Sequence, residues 1–289
     1  MTQPRPIHPA ALLAILLAAC QATTAAEPPG QAAPTPADFG LTKAAIDDLA
    51  ARQIPFIDFH VHLRGGMTAD KALARQSGTG IRIGVLDNLG TGWPIETDEH
   101  LRTFLDQTSG RPLYVGLQVN DRDWHKKHSR QLLDRCDYFL GDTMIMAMPD
   151  DAGPPVKLWQ PEGYTIDDPA AWMERYVRHN LRVLAEPINI LANPTYLPPP
   201  VEDRYDELWT DQRMKTVIAA AIANHVALEI NARSGYPHER FIRMAEKMGA
   251  KFSFGTNNFD DKPIDMSHCL EAIGKYQLTA ADLYVPPSK

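Results

Sequence analysis

Residues 56–66 read FIDFHVHLRGG, an apolar run that ends in two histidines, an arginine and a glycine pair. Aromatic and β-branched residues followed by polar punctuation make a short buried strand that runs out into a loop. Period-two geometry puts Asp58, His60 and His62 on one face of that strand. If that face is the inside of a barrel, both imidazoles point inward.

Outward from this stretch the same order repeats: short apolar run, polar turn, amphipathic helix. The runs are PFIDF, IRIGVL, PLYVGLQV, CDYFLG, PINILA, VALEI and KFSF. Helix signals lie between them. Thr97 caps a segment with Asp98 and Glu99 in its first turn and Leu101, Phe104 and Leu105 at helical spacing. Asp168-Pro169 is a cap followed by proline at the first helical position. Met214, Val217, Ile218 and Ala221 form one apolar face, and Phe241, Met244, Ala245 and Met248 another, which Gly249 ends. Strands alternating with helices imply right-handed crossovers and a parallel sheet. Roughly seven such units fit a closed or nearly closed α/β barrel of the TIM type. An open doubly wound sheet is the alternative, but no glycine-rich phosphate loop follows the first run, so dinucleotide binding has no support.

The N-terminus is separate from this pattern. MTQPRPIHPAALLAILLAAC has a short polar start and an apolar stretch too short to span a bilayer. Leu17-Ala18-Ala19-Cys20 resembles a bacterial lipoprotein box, so residues 1–20 read as a signal peptide that leaves Cys20 as the lipidated N-terminus. A simple signal cut after ATTAA is the alternative. The location is then the cell envelope, as an outer-membrane lipoprotein facing the periplasm or as a soluble periplasmic protein. Residues 21–38 read as a flexible tether, and 39–289 as the barrel domain. Cys136 and Cys269 read as buried thiols rather than a bridge. A net charge of −7 argues against nucleic acid as a partner.

In such barrels chemistry gathers where strands run out into their loops. The first run delivers His60, His62 and Arg64, the second Asp87 and Asn88, and the third Gln118 and Asn120. The fourth delivers Asp142, the fifth Asn193, the sixth Glu229, Asn231 and Arg233, and the seventh Asn257 and Asn258. Two inward imidazoles cost desolvation unless something satisfies their nitrogens, and a divalent metal does so well. The remaining histidines carry less signal. His100, His179, His238 and His268 fall on helices, and His125 and His128 read as part of a solvated loop.

FIDFHVHLRGGMT, then ALEIN, then FSFGTNN, in this order and spacing, resembles the PHP family, named for its polymerase and histidinol-phosphatase members. The resemblance spans Ile54 to about Tyr284. It implies a distorted (β/α)7 TIM-like barrel and a metal-dependent phosphoesterase. The chain departs from the family pattern where Asn88 replaces histidine, Gln118 replaces glutamate, Asn193 replaces histidine, and Asn257-Asn258-Phe259 replaces Asp-x-His. A histidine expected after the fourth strand is missing, with Asp142 close by. Amides are poor ligands for zinc-like metals. The resemblance therefore implies at most one divalent ion (Zn, Mn or Fe) on His60, His62 and Glu229 or Asp142, or none.

The amides of Gln118, Asn193, Asn231, Asn257 and Asn258, with Trp93, Trp124 and Trp159 in loops, suit a hydroxylated small molecule such as a sugar. Arg64 and Arg233 suit a carboxylate or phosphate on it. The expected activity is hydrolysis of a small polar substrate, sugar-derived or phosphorylated. Metal-bound water would be the nucleophile, Asp87 or Asp142 the base, and Arg64 or Arg233 the anion stabiliser. The alternatives are an acid–base lyase or isomerase on the same histidines and Glu229, and a ligand-binding protein with a decayed metal site.

Buried acyl chains contribute about 0.8 kcal/mol per CH₂, so two or more chains anchor firmly. Cys20→Ser is therefore expected to move the protein from the membrane fraction to the soluble periplasmic one. Wild-type protein recovered wholly soluble would sink the lipoprotein reading.

Overall fold

Each of the apolar runs becomes a strand of one closed parallel barrel in the computed structural model, which describes residues 33–287. The strands are β1 (Ile57–His62), β2 (Arg82–Leu89), β3 (Tyr114–Val119), β4 (Tyr138–Gly141), β5 (Ile145–Ala147), β6 (Pro155–Lys157), β7 (Ile190–Leu191), β8 (Ala227–Asn231) and β9 (Phe252–Gly255). The barrel order is β1-β2-β3-β4-β7-β8-β9, and β9 pairs back onto β1 through Asp58 and Phe254. β5 and β6 form a separate antiparallel hairpin in the segment after β4. The barrel is thus of the seven-stranded TIM-like kind that the alternation predicts, with β7 reduced to two residues.

The helices are α1 (Lys43–Ala51), α2 (Ala69–Thr79), α3 (Asp98–Thr108), α4 (Trp124–Lys127), α5 (Arg130–Leu133), α6 (Pro169–Leu184), α7 (Tyr205–Leu208), α8 (Asp211–Ala223), α9 (Glu239–Lys247) and α10 (Ser267–Lys275). The caps read from sequence are present: Thr97 accepts from the His100 N–H, and Asp168 from those of Ala170 and Ala171. Among the described residues no helix is long and apolar enough to cross a membrane. Residues 1–32, with Cys20, lie outside the described part. The last residues of the stretch read as a tether do not stay extended. Pro36–Phe39 is a 3-10 turn in which Thr35 and Asp38 cap each other, and Phe39 is buried.

β1 departs from simple alternation. Its pairing with β2 shifts register between Asp58 and Val61, so β1 carries one residue more than β2 over that span. A bulge of this kind lets two successive residues face the same side. Phe59 joins an interior cluster with Ile57, Leu86, Tyr138 and Leu140, while its neighbour His60 meets Glu229 and Gln118, also inside. Asp58 does not share the histidines' face, as period-two spacing predicts. It turns toward β9 and the α2 layer, where Arg75 is its neighbouring cation.

Asp58 also holds the irregularity in place. Its Oδ1 accepts the His60 N–H at 3.1 Å and the Thr256 N–H at 2.9 Å, and its Oδ2 accepts the Thr256 hydroxyl at 2.7 Å. The backbone donor at the bulge is thereby satisfied, and β1 is tied to the chain leaving β9.

The interior below the histidines is aromatic. Phe59 lies 5.1 Å from the Tyr138 ring, 5.7 Å from Tyr114 and 5.5 Å from Tyr284, centroid to centroid. The Tyr138 hydroxyl donates to the Phe59 carbonyl at 2.8 Å, which satisfies a phenol at the barrel axis. Gly116 leaves the room: a Cβ there would lie 2.4 Å from the Tyr138 ring.

Three sequence readings change here. Trp124 is core, 4.6 Å from the Phe139 ring and 1% exposed, so it offers no face to a ligand. Trp93 and Trp159 instead flank the Lys157 ammonium, at 4.7 and 5.9 Å. His128 is no solvated loop residue, because its ring is buried against Asp98 at 3.2 Å. Cys136 and Cys269 are buried thiols, as read.

Asp58→Ala removes a buried carboxylate that accepts three hydrogen bonds. Hydrogen bonds to charged groups contribute about 1.5–3 kcal/mol each before relaxation. Urea unfolding is expected to show a loss of about 3 kcal/mol. A loss within error of zero would show that the bulge forms without its clamp.

Candidate functional site

One step further along the strands from the aromatic layer lie the polar side chains named from sequence. His60 and His62 on β1, Asn88 on β2, Gln118 on β3, Asp142 just past β4, Asn193 past β7, and Glu229 and Asn231 on β8 are all buried. They form a hydrogen-bonded layer rather than a ring of open ligands.

Its centre is a pair. His60 Nδ1 donates to Glu229 Oε1 at 2.6 Å, with both side chains out of contact with water. The other carboxylate oxygen of Glu229 accepts the Asn193 N–H at 2.9 Å and the Asn231 side-chain amide at 3.1 Å. The pair lies against the backbone of β9, since a Cβ on Gly255 would come 2.1 Å from Glu229 Oε1. Sequence reading had no signal for Gly255 beyond its place at a strand end. From His60 the network continues: Nε2 lies 3.1 Å from Gln118 Oε1, and the Gln118 amide donates to Asp142 Oδ2 at 2.8 Å. Asp142 Oδ1 accepts the Met144 N–H at 2.7 Å.

The electrostatics follow. Burial alone would lower the His60 pKa, but the Glu229 carboxylate and the bonds to Glu229 and Gln118 outweigh it and raise it. Burial would raise Glu229, but the His60 charge and its hydrogen bonds hold it below the usual value. For Asp142 burial wins and raises the pKa, against the Met144 and Gln118 hydrogen bonds and the charges of His60 and Arg122.

His62 is the opposite case. Its ring is fully buried, and neither ring nitrogen has a hydrogen-bond partner. Burial first, then the like charges of His60 and Arg64, push its pKa well below the ordinary histidine value, against a smaller opposing pull from the Asn257 and Gln118 side chains. Asp87 Oδ1 lies 3.9 Å from its Nδ1. Burial raises the Asp87 pKa against the opposing pull of the Asn88 N–H and Arg64. Asp87 is reached from outside through a cleft lined by Leu63, Ile95, His100 and Phe104.

On the rim, Arg64 and Arg233 both face the Phe259 ring, at 5.5 and 3.9 Å, and Phe259 is 56% exposed. Arg233 donates to the Asn257 carbonyl at 3.1 Å. Sequence reading gave Phe259 no role, although it stands two residues past Asn257 in a loop of amides.

Two candidates for substrate contact are corrected. Asn258 accepts the His62 N–H at 2.6 Å and donates to the carbonyls of His62 and Asp260, so it braces the end of β1. Asn231 accepts the N–H groups of Arg233 and Ser234 and donates to Glu229, so it shapes the turn after β8. Asn88 Oδ1, Asn120 Nδ2 and Asn193 Nδ2 are buried without partners.

The expected metal set does not assemble. Both oxygens of Glu229 and both nitrogens of His60 are engaged, and amides (Gln118 and Asn257) stand where carboxylates would face the histidines. Among the described residues no three His, Cys, Asp or Glu side chains converge as ligands would. This donor set does not fit a divalent ion.

No family model matches the chain, and no curated protein matches it in sequence. Among solved structures it is similar to histidinol phosphate phosphatase (HISK) from Lactococcus lactis subsp. lactis Il1403, complexed with Zn, L-histidinol and phosphate. The TM-score is 0.54 at 14% identity, covering 77% of this chain and 94% of that one. What the two share at that identity is the barrel.

The Glu229–His60 pair makes stability depend on pH. Glu229, lowered from 4.5, contributes above pH 4.5 and loses its contribution as pH falls through its folded value. His60, raised from 6.5, contributes below pH 6.5 and loses its share as pH rises through its folded value. The pair's contribution is thus complete between pH 4.5 and 6.5 and declines on both sides. Glu229→Gln, which strands a buried partner, is expected to cost about 3–5 kcal/mol and to flatten this profile. Urea midpoints across pH 4–9 check it, and a mutant profile that parallels the wild type would remove the pair from the account.

Proposed function

We propose that the barrel mouth is an active site that moves protons on a small, hydroxylated, anionic molecule, as a lyase or isomerase does. The observation that carries this is His62, a buried imidazole with both nitrogens unpartnered at the C-terminal ends of the strands. A buried polar group without a partner is rare and costly, and a ligand that reaches it supplies the missing bond. The amide atoms left open on Asn88, Asn120 and Asn193 suit hydroxyl groups in the same way. Arg64 and Arg233 supply positive charge for a carboxylate or phosphate.

In this reading His62 presents a lone pair to a substrate C–H, with Asp87 beside Nδ1. Closing the 3.9 Å gap lets Asp87 accept a hydrogen bond from Nδ1–H, fix the tautomer, and stabilise the imidazolium formed when Nε2 takes the substrate proton. Arg64 stands next to Asp87 and offsets the negative charge that develops on the substrate. Hydrolysis through metal-bound water, the first expectation from sequence, has less support because its ligand set is engaged elsewhere. The similar solved phosphatase supports the barrel and leaves the reaction open. The exported, lipid-anchored location is part of this proposal and rests on the N-terminal sequence alone.

A panel of sugar acids and sugar phosphates tests the reading. His62→Ala and Asp87→Asn are each expected to lower kcat by about 10²–10⁴-fold, the usual contribution of general acid–base catalysis. Arg64→Gln should raise KM for charged substrates and leave uncharged analogues unchanged. Because the His62 pKa is depressed, the base form is present at neutral pH, and the acid limb of kcat should fall below pH 6.5. An acid limb above that value would assign the base elsewhere.

A further inference from the structure

The direction of the hydrogen bonds around His60 says more than that a ligand set is incomplete. Asp142 accepts the Met144 N–H on one oxygen and faces the Gln118 side chain with the other. The Gln118 NH₂ donates to Asp142 Oδ2 at 2.8 Å, so its carbonyl oxygen is turned to His60 Nε2, 3.1 Å away. His60 Nε2 must then donate. On the other side Glu229 already accepts two donors on Oε2, and its Oε1 receives Nδ1. With both nitrogens donating, the ring has no lone pair left for a metal.

We infer that the chain Glu229–His60–Gln118–Asp142 stands in place of an ion centre in this barrel, with Gln118 as the residue that closes His60 to metals. Gln118 does so by position: among the described residues it is the one side chain bonded to both His60 Nε2 and Asp142. A carboxylate at 118 would turn an acceptor-only group to each of them. It would set an anion against Asp142 and leave His60 Nε2 a carboxylate neighbour instead of an amide. That is the donor chemistry zinc-like metals take, which amides lack. Gly255 and the engaged Glu229 pack against the far side of His60.

The inference concerns the same site as the acid–base reading but is measured on the resting protein. Full-length protein purified without chelator is dialysed against micromolar Zn(II) or Mn(II), and bound metal is counted by mass spectrometry. The wild type is expected to hold essentially none. Gln118→Glu is expected to gain up to about one equivalent, lost again in Gln118→Glu combined with His60→Ala. One equivalent in the wild type that disappears in His60→Ala overturns the inference. A folded Gln118→Glu that stays metal-free overturns the role given to Gln118. Should Gln118→Glu fail to fold by circular dichroism, ¹⁵N-histidine spectra of the wild type decide. Two ring N–H signals for His60, unmoved by Zn(II), support the inference, and a missing Nε2–H or a shift on adding Zn(II) overturns it. Absent turnover with no metal bound would count against the reaction alone.

Discussion

The site depends on one extra residue in the first strand. Had β1 kept strict alternation from Phe59 at the barrel axis, His60 would face the outer layer, because a one-residue slip exchanges the two faces of a strand. The bulge between Asp58 and Val61 lets an aromatic base layer and a histidine layer follow each other without a gap. Asp58 satisfies the donor that the irregularity frees and ties it to Thr256. Strand closure and placement of the site are therefore a single structural event.

Above that base the barrel shows two histidines of one motif in opposite states. Glu229 and Gln118 raise the pKa of His60, while burial and the charges of His60 and Arg64 lower that of His62, two residues on. Nothing in the side chain differs. The difference lies in Glu229 and Asp142 on one side, and in Arg64 and His60 itself on the other. Burial magnifies each effect, since water is not available to screen the neighbours.

Much of the fold was legible because a parallel barrel repeats its signal. Short runs such as IRIGVL and VALEI, with caps at Thr97 and Asp168, recur often enough that single errors matter little. The site was legible only in part. His60, His62, Glu229, Gln118 and Asp142 do meet, because strand ends in a barrel share one rim. The bulge was not legible, since FIDFHVH alternates equally well with or without it. Nor could the sequence say which amides would be spent on backbone, as Asn231 and Asn258 are, and which left open, as Asn88, Asn120 and Asn193 are. That distinction depends on loop paths after β8 and β9 that no local pattern encodes. Gly255 escaped notice for a related reason: its requirement comes from a carboxylate on a neighbouring strand.

The aromatic layer at the base closes one end of the barrel axis. Phe59, Tyr138 and Tyr284 fill the axis beneath the histidines, and Tyr284 arrives from the last stretch of chain, held by its N–H to the Phe252 carbonyl at 2.8 Å. The barrel is a vessel stoppered from below by its own tail. With the axis filled from below, a molecule reaching His62 would have to come from the rim that carries Arg64, Asp87 and Phe259.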